Sequence, residues 1–213
     1  MKSFKTVLPG AVAMLLASQA FADVTVYITG SPTYRQQINT SIARILGVSA
    51  DGVLIQAAYD SAGGSLNGAS RAIFRSTTNT LSVTGTVTIK TFWTDSAAGM
   101  RAVTQPLPQA FMADPSASGS NVTMGNATTN SGVVTAGQSV GSPTTESVNP
   151  EIVMSDVDQA ATPFTAGNVL NRETIGVVDF VWCASVAAKT TAPFTSISNI
   201  TPQIAQALYG GTG

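Results

Sequence analysis

The sequence predicts an α/β fold with a mostly parallel sheet and helices on both faces. Three observations predict it. Short β-branched runs alternate with helix-spaced apolar positions, the pattern of strand–helix units. Two of those runs lead straight into a helix start, at Thr29-Gly30-Ser31 and at Thr94-Asp95-Ser96. A third ends in an acid, Ser155-Asp156, and sheets of this class bind ligands where the carboxyl ends of their strands meet.

The elements follow in chain order. Residues 1–22 read as a secretory signal peptide rather than as fold. Lys2 and Lys5 give a positive start, Val7 to Ala17 is largely apolar, and Ala20-Phe21-Ala22 suits cleavage before Asp23. A membrane anchor is the weaker reading, because the apolar run is short of the roughly 20 residues a span needs and holds Pro9 and Gly10. Val24 to Thr29 alternates as a strand. Ser31 then suits an N-cap, with Pro32 at the first helical position, where its missing N–H costs nothing. Tyr34, Ile38, Ile42 and Ile45 or Leu46 recur at helical spacing, and Gly47 ends the helix.

A short strand at Val53 to Ala58, the Gly-rich loop SAGGSLNGAS and a short helix at Ala72-Ile73-Phe74 come next. Val83 to Trp93 is rich in β-branched residues and reads as a strand. Asp95 or Ser96 caps a helix carrying Met100 and Val103, stopped before Pro106. From 104 to 149 the composition turns to Ser, Thr, Gly and Asn, which predicts an insertion made of extended loop or a pair of weak surface strands. Its Asn-x-Thr triplets match a glycosylation pattern too short to carry weight. Glu151 to Ser155 is a short apolar strand. Gly176 to Ala188 is apolar on both faces and reads as a central strand. Thr201-Pro202 begins a last helix that closes before Gly210.

Composition removes several function classes. The chain has no histidine, which excludes Ser-His-Asp and Cys-His nucleophile systems and the usual zinc sites. No acids stand at metal-ligand spacing, so neither a metal nor a cofactor is expected, and the protein reads as a non-enzyme. An extracytoplasmic hydrolase is the weakest of the alternatives. Without Lys2 and Lys5 there are eight basic against eleven acidic residues, a net charge of −3 with no basic stripe, so nucleic acid is not an expected partner. The single Cys183 cannot form an internal disulfide and lies in an apolar stretch, where a small buried strand residue is the expected role.

The three strand ends carry the remaining chemistry. A helix N-terminus bearing hydroxyls suits an oxyanion, because amides and hydroxyls donate and the dipole favours negative charge. Ser31 and Thr33 provide this at the first helix and Ser96 at the second. Asp156 would repel a fully ionised anion yet accept a hydrogen bond from one that keeps a proton, which selects hydrogen phosphate over sulfate. Each turn is also simply a good cap, so a purely structural role stands beside the binding role.

VYITGSPTYR, FWTDSAAGMRAV, NPEIVMSDVDQA and GVVDFVWCASVAA followed by ITPQIAQALYGG together resemble the ordered landmarks of type II periplasmic solute-binding proteins. The phosphate-binding proteins of ABC transporters are the branch they resemble. The resemblance implies a type II periplasmic-binding-protein lobe, with Gly30-Ser31-Pro32-Thr33, Asp95 to Gly99 and Ser155-Asp156 as its anion-binding turns. Carried over residue by residue, the ligand-binding residues are Ser31, Thr33, Ser96 and Asp156. Pro32 departs from the family's small polar residue and removes one backbone N–H. The implied partners are phosphate and an ABC transporter membrane complex, and the implied location is periplasmic or secreted.

By this reading 23–188 is the first lobe, and 189–213 is the crossover and start of a second lobe that is largely missing. The family's closing arginine and Ser-Gly-Thr turn would lie beyond Gly213. The expectation is therefore a fragment, with a one-lobe protein as the alternative. A rival of another class is a secreted or surface structural protein that makes contacts through its Ser/Thr-rich segment and keeps a degenerate site.

Overall fold

The structure, a computed structural model, describes residues 23–47, 55–77, 81, 83–130 and 133–176. The chain forms two compact units, Met1–Asn171 and Arg172–Gly213. In the second unit only residues 172–176 are described, as exposed irregular backbone. The expected signal peptide, Cys183, the strand at 176–188 (beyond Gly176 itself) and the helix from Thr201 lie outside the described residues.

In the first unit, β1 (Val24–Gly30) leads through Ser31 and a 3-10 turn, Pro32–Tyr34, into α1 (Arg35–Ile45). The Ser31 side chain accepts from the Thr33 amide at 3.2 Å, and Gly47 follows the helix at φ +99°, so both expected ends of this unit are where the residues put them. Ile38, Ile42, Ala43 and Leu46 form the buried stripe of the helix. Each fully buried Ile or Leu contributes about 1.5–3 kcal/mol over leaving it exposed. The same core takes Ile55 and Ala57 from β2 (Ile55–Asp60), Phe74 from β3 (Arg71–Ser76) and Val87, Ile89 and Trp93 from β4 (Val87–Trp93).

After β4 come α2 (Ser96–Thr104), β5 (Gln109–Met112), β6 (Gly125–Asn130), β7 (Val133–Ala136), β8 (Gln138–Val140), β9 (Thr145–Val148) and β10 (Ile152–Met154). The main sheet runs β10-β1-β4-β3-β2-β6-β7, with β8 also on β2. The free edge of β2 is shared. β6 pairs antiparallel with Ile55 to Ala57, and β8 pairs parallel with Ala58 to Asp60. A separate antiparallel pair, β5 with β9, forms a second layer on the face opposite α1. There Ala58 and Ile73 pack with Met112, Val122 and Val140, and the Phe111 ring meets Tyr27 edge-on at 5.0 Å.

Two polar features sit inside this second layer. Lys90 is 1% exposed, and its Nζ lies 2.5 Å from Glu146 Oε1 and donates to the Met112 carbonyl at 3.0 Å. The Tyr27 hydroxyl donates to the same Glu146 oxygen at 2.9 Å. Burial first, and then the neighbouring Glu146 carboxylate, push the Tyr27 phenol well above its ordinary range. β9, whose ladder is to β5, is thus tied to the main sheet by a charge pair whose lysine is buried and whose glutamate is half-buried.

The architecture corrects the predicted fold class. The sheet is mixed and mainly antiparallel, and among the described residues there are only two short α-helices. It is not a mostly parallel sheet with helices on both faces. β1 is parallel to β4 and β10, whereas β2–β3, β3–β4, β2–β6 and β6–β7 are antiparallel. The reason lies in the connections. Parallel neighbours need a crossover of a dozen or more residues, usually a helix. Only ten residues join β2 to β3, and ten join β3 to β4, so these strands return as antiparallel neighbours.

Three local expectations change with it. Ala72-Ile73-Phe74 is strand, not helix, because β3 lies between β2 and β4 with Ala72 and Phe74 buried on one face and Ile73 on the other. The strand expected from Val83 begins at Val87. The 104–149 segment is not a loop or a weak surface pair. It supplies five strands, and Phe111, Met112, Ala127, Val134 and Val140 from it are buried. No helix among the described residues is long and apolar enough to cross a membrane.

Candidate functional site

The parallel trio β4-β1-β10 sets the site. Gly30 is in register with Trp93 on one side and with Met154 on the other, so three strands end level at one edge. The ladder runs one residue further, with the Ser31 amide donating to the Met154 carbonyl at 2.8 Å and the Thr94 amide to the Gly30 carbonyl at 2.9 Å. Neighbouring strands lie about 4.8 Å apart, so the residues that follow each end fall within side-chain reach of one another.

Two glycines permit this closeness. Gly30 has φ +129°, and a Cβ there would sit 2.0 Å from the Met154 carbonyl oxygen. A Cβ at Gly99 would lie 2.7 Å from Gly30 Cα and 3.0 Å from Val153 Cγ2. α2 therefore rests directly on the end of β1.

The four residues named from the sequence come together here. Asp156 Oδ2 accepts from Ser31 Oγ and from Thr33 Oγ1, each at 3.2 Å, and Asp156 Oδ1 accepts from Ser96 Oγ. The Asp156 amide donates back to Ser96 Oγ at 3.2 Å. The single Ser31 proton can serve Asp156 or Thr33 Oγ1, which is 2.9 Å away. Ser31 and Ser96 are buried, Asp156 is half-buried and Thr33 is exposed, so the cluster opens to solvent on the Thr33 side. The Ser96 hydroxyl foremost, and then those of Ser31 and Thr33, hold the Asp156 carboxyl below the usual carboxylate range against the opposing effect of burial.

Local chemistry decides which groups are free for this. Asp95, not Ser96, takes the cap of α2, accepting from the Ala98 amide at 2.6 Å. Ser96 is thereby left to face Asp156. Ser155 turns away, its hydroxyl donating to the Val157 carbonyl at 2.7 Å and accepting from the Val157 amide at 3.1 Å. The amides of Ser31, Thr33 and Ala98 are engaged by the ladder and the two caps, so the hydroxyls are the donors this site can redirect. The role of Gly99 as a spacer was not read from the sequence. Its signal is a glycine inside an amphipathic helix, which costs about 1 kcal/mol relative to alanine and so calls for a packing reason.

Among the described residues no group of three or more acids or cysteines could hold a metal ion. Comparison with protein-family models, with curated proteins and with solved structures gives no match. The site is read from its own geometry.

Proposed function

We propose that the chain is an exported solute-binding protein whose ligand is a protonated oxyanion, hydrogen phosphate, taken up for an ABC-type transporter and not chemically changed. The observation that carries this reading is a single carboxylate ringed by three hydroxyls at the level ends of three parallel strands. A hydrogen phosphate would donate its proton to Asp156, and its other oxygens would accept from Ser31, Thr33 and Ser96, whose protons turn from the carboxylate to the ligand. Sulfate could accept from the same hydroxyls but has no proton to give to Asp156, whose charge would repel it. The depressed Asp156 carboxyl supports the same reading, since it stays ionised and able to accept throughout the neutral range. Export rests on the character of residues 1–22.

Calorimetry of the protein with phosphate and with sulfate tests the reading. Phosphate should give heat and raise the melting temperature, and sulfate should do neither. Asp156→Asn, which offers an amide where the phosphate proton must dock, should weaken phosphate binding by about tenfold or more, the worth of one charge-assisted hydrogen bond. If neither anion binds, the oxyanion reading falls.

One observation favours a second reading, a secreted or surface structural protein with a degenerate site. Every hydroxyl of the cluster is already satisfied by Asp156, as a structural clasp joining three strand ends requires. On that reading Asp156→Asn lowers stability, and phosphate has no effect on either form.

A further inference from the structure

At the other end of the same strands the sheet carries a row of polar side chains. Gln56, Arg75, Thr88 and Thr25 are cross-strand neighbours in register across β2, β3, β4 and β1, so all four project from one face. It is the face that the β5–β9 layer covers further along, where the next row places Ile73, Lys90 and Tyr27 beneath Phe111 and Met112. β5 ends at Met112 and the chain leaves the sheet, so among the described residues the polar row lies in a groove of about 470 Å³, with Thr88 buried in its floor, Asp114 and Ser116 as one wall and Asp23 at its rim.

We infer that this groove binds a neutral, polyhydroxylated ligand, a stretch of linear carbohydrate, at a site separate from Asp156. The charges balance and give an anion no advantage. The Arg75 guanidinium is neutralised by Asp114 at 2.5 Å, and the Asp23 carboxylate at the rim offsets the α-ammonium that cleavage before it leaves. The groups suit hydroxyls, which both donate and accept. Two of the five guanidinium N–H donors go to Thr88 Oγ1 and Asp114, and Asp114 is itself held by the Ser116 amide at 2.8 Å and hydroxyl at 2.6 Å. This leaves a pre-set array of guanidinium, amide and hydroxyl groups on a rigid floor. Facing residues on neighbouring strands stand about 4.5–5.5 Å apart. That step is close to the length of one sugar unit, so successive units of a chain lying across the strands meet Gln56, then Arg75, and finally Thr25 beyond a floor formed by the buried Thr88. The groove volume is within the range of about 300–1,000 Å³ usual for small-molecule sites, and its polar lining matches a ligand richer in hydroxyls than in apolar surface.

The test uses the protein beginning at Asp23, labelled with ¹⁵N and titrated with cellotetraose, maltotetraose and chitotetraose, each against its monomer. At least one tetrasaccharide should shift the amides of Gln56, Arg75 and Thr88 at millimolar concentration, and its monomer should bind more weakly. Gln56 and Thr25 are exposed, so Gln56→Ala and Thr25→Ala leave the fold intact, and each should weaken the interaction by about tenfold. Saturating phosphate should leave these shifts unchanged in the unaltered protein, which separates this site from the phosphate reading. No shift in the row with any of the three tetrasaccharides overturns the inference. So do equal binding of monomer and tetramer, full retention of binding in both alanine variants, or displacement of the tetrasaccharide by phosphate.

Discussion

Gly99→Ala sets two opposing effects against each other, and the geometry decides between them. Alanine in a helix interior is favoured over glycine by about 1 kcal/mol. The new Cβ, however, would stand 2.7 Å from Gly30 Cα, where carbon atoms normally rest at about 3.5–4.0 Å. Gly30 cannot retreat, because its other side is closed by the Met154 carbonyl. α2 must therefore move off the sheet by on the order of 1 Å, and overpacking of this kind costs about 1–3 kcal/mol. The net expectation is a destabilisation of about 1 kcal/mol, seen as a fall of about 0.5 M in the urea midpoint. The displacement also draws Ser96 from Asp156, the first of the groups that depress its carboxyl. Carbon NMR of the Asp156 carboxyl should then show its titration moving up toward the ordinary value. A Gly99→Ala protein as stable as the parent, with Asp156 titrating as before, refutes the claim that this contact positions the site.

Two further outcomes follow from the charged groups. Asp156 has a depressed native pKa, so its stabilising contribution is complete above the ordinary value of 3.8 and is lost as pH falls through the lower native value. Urea midpoints measured from neutral pH into the acid range should fall more steeply for the parent than for Asp156→Asn. Asp114 also titrates low, burial being outweighed by its Ser116 hydrogen bonds and by Arg75, but it acts equally in both proteins. Equal acid slopes would dispose of the hydroxyl clasp. In the second layer, Lys90 is 1% exposed and Glu146 is 27% exposed. Glu146→Ala strands a buried ammonium and should cost about 3 kcal/mol, while Lys90→Met leaves a carboxylate that water can reach and should cost less. Denaturation curves showing the reverse order would contradict the burial.

Much of the site was legible because its signals are local. Ser31 before Pro32, Gly47 after a helical stripe, and Asp95 three residues before Ala98 each act on a neighbour within one helical turn. Such caps can be read from a short window. The exchange of roles between Asp95 and Ser96 was open in the sequence, since either can cap, and it is settled by where Asp156 stands. The misreadings have a different origin. Ala72-Ile73-Phe74 is a short apolar run with no period of its own, so only its burial between two strands makes it β. The 104–149 segment looked like loop because polar Ser and Thr dominate it. Its strands are held by ladder hydrogen bonds and by a few inward residues such as Phe111 and Val134.

By itself the sequence determined the punctuation of this protein: which residues cap helices, which glycines end them, and which hydroxyls and carboxylate stand at strand ends. It also ruled out histidine chemistry by leaving histidine out. Only the tertiary structure decided the direction of the strands, the second layer over Lys90, and the meeting of Ser31, Thr33 and Ser96 on one carboxylate. The physical reason is range. A cap is satisfied within four residues of the chain, whereas Asp156 reaches Ser31 across 125 residues and Ser96 across 60. That meeting exists only because β1 lies between β4 and β10 with Gly30 facing Trp93 and Met154.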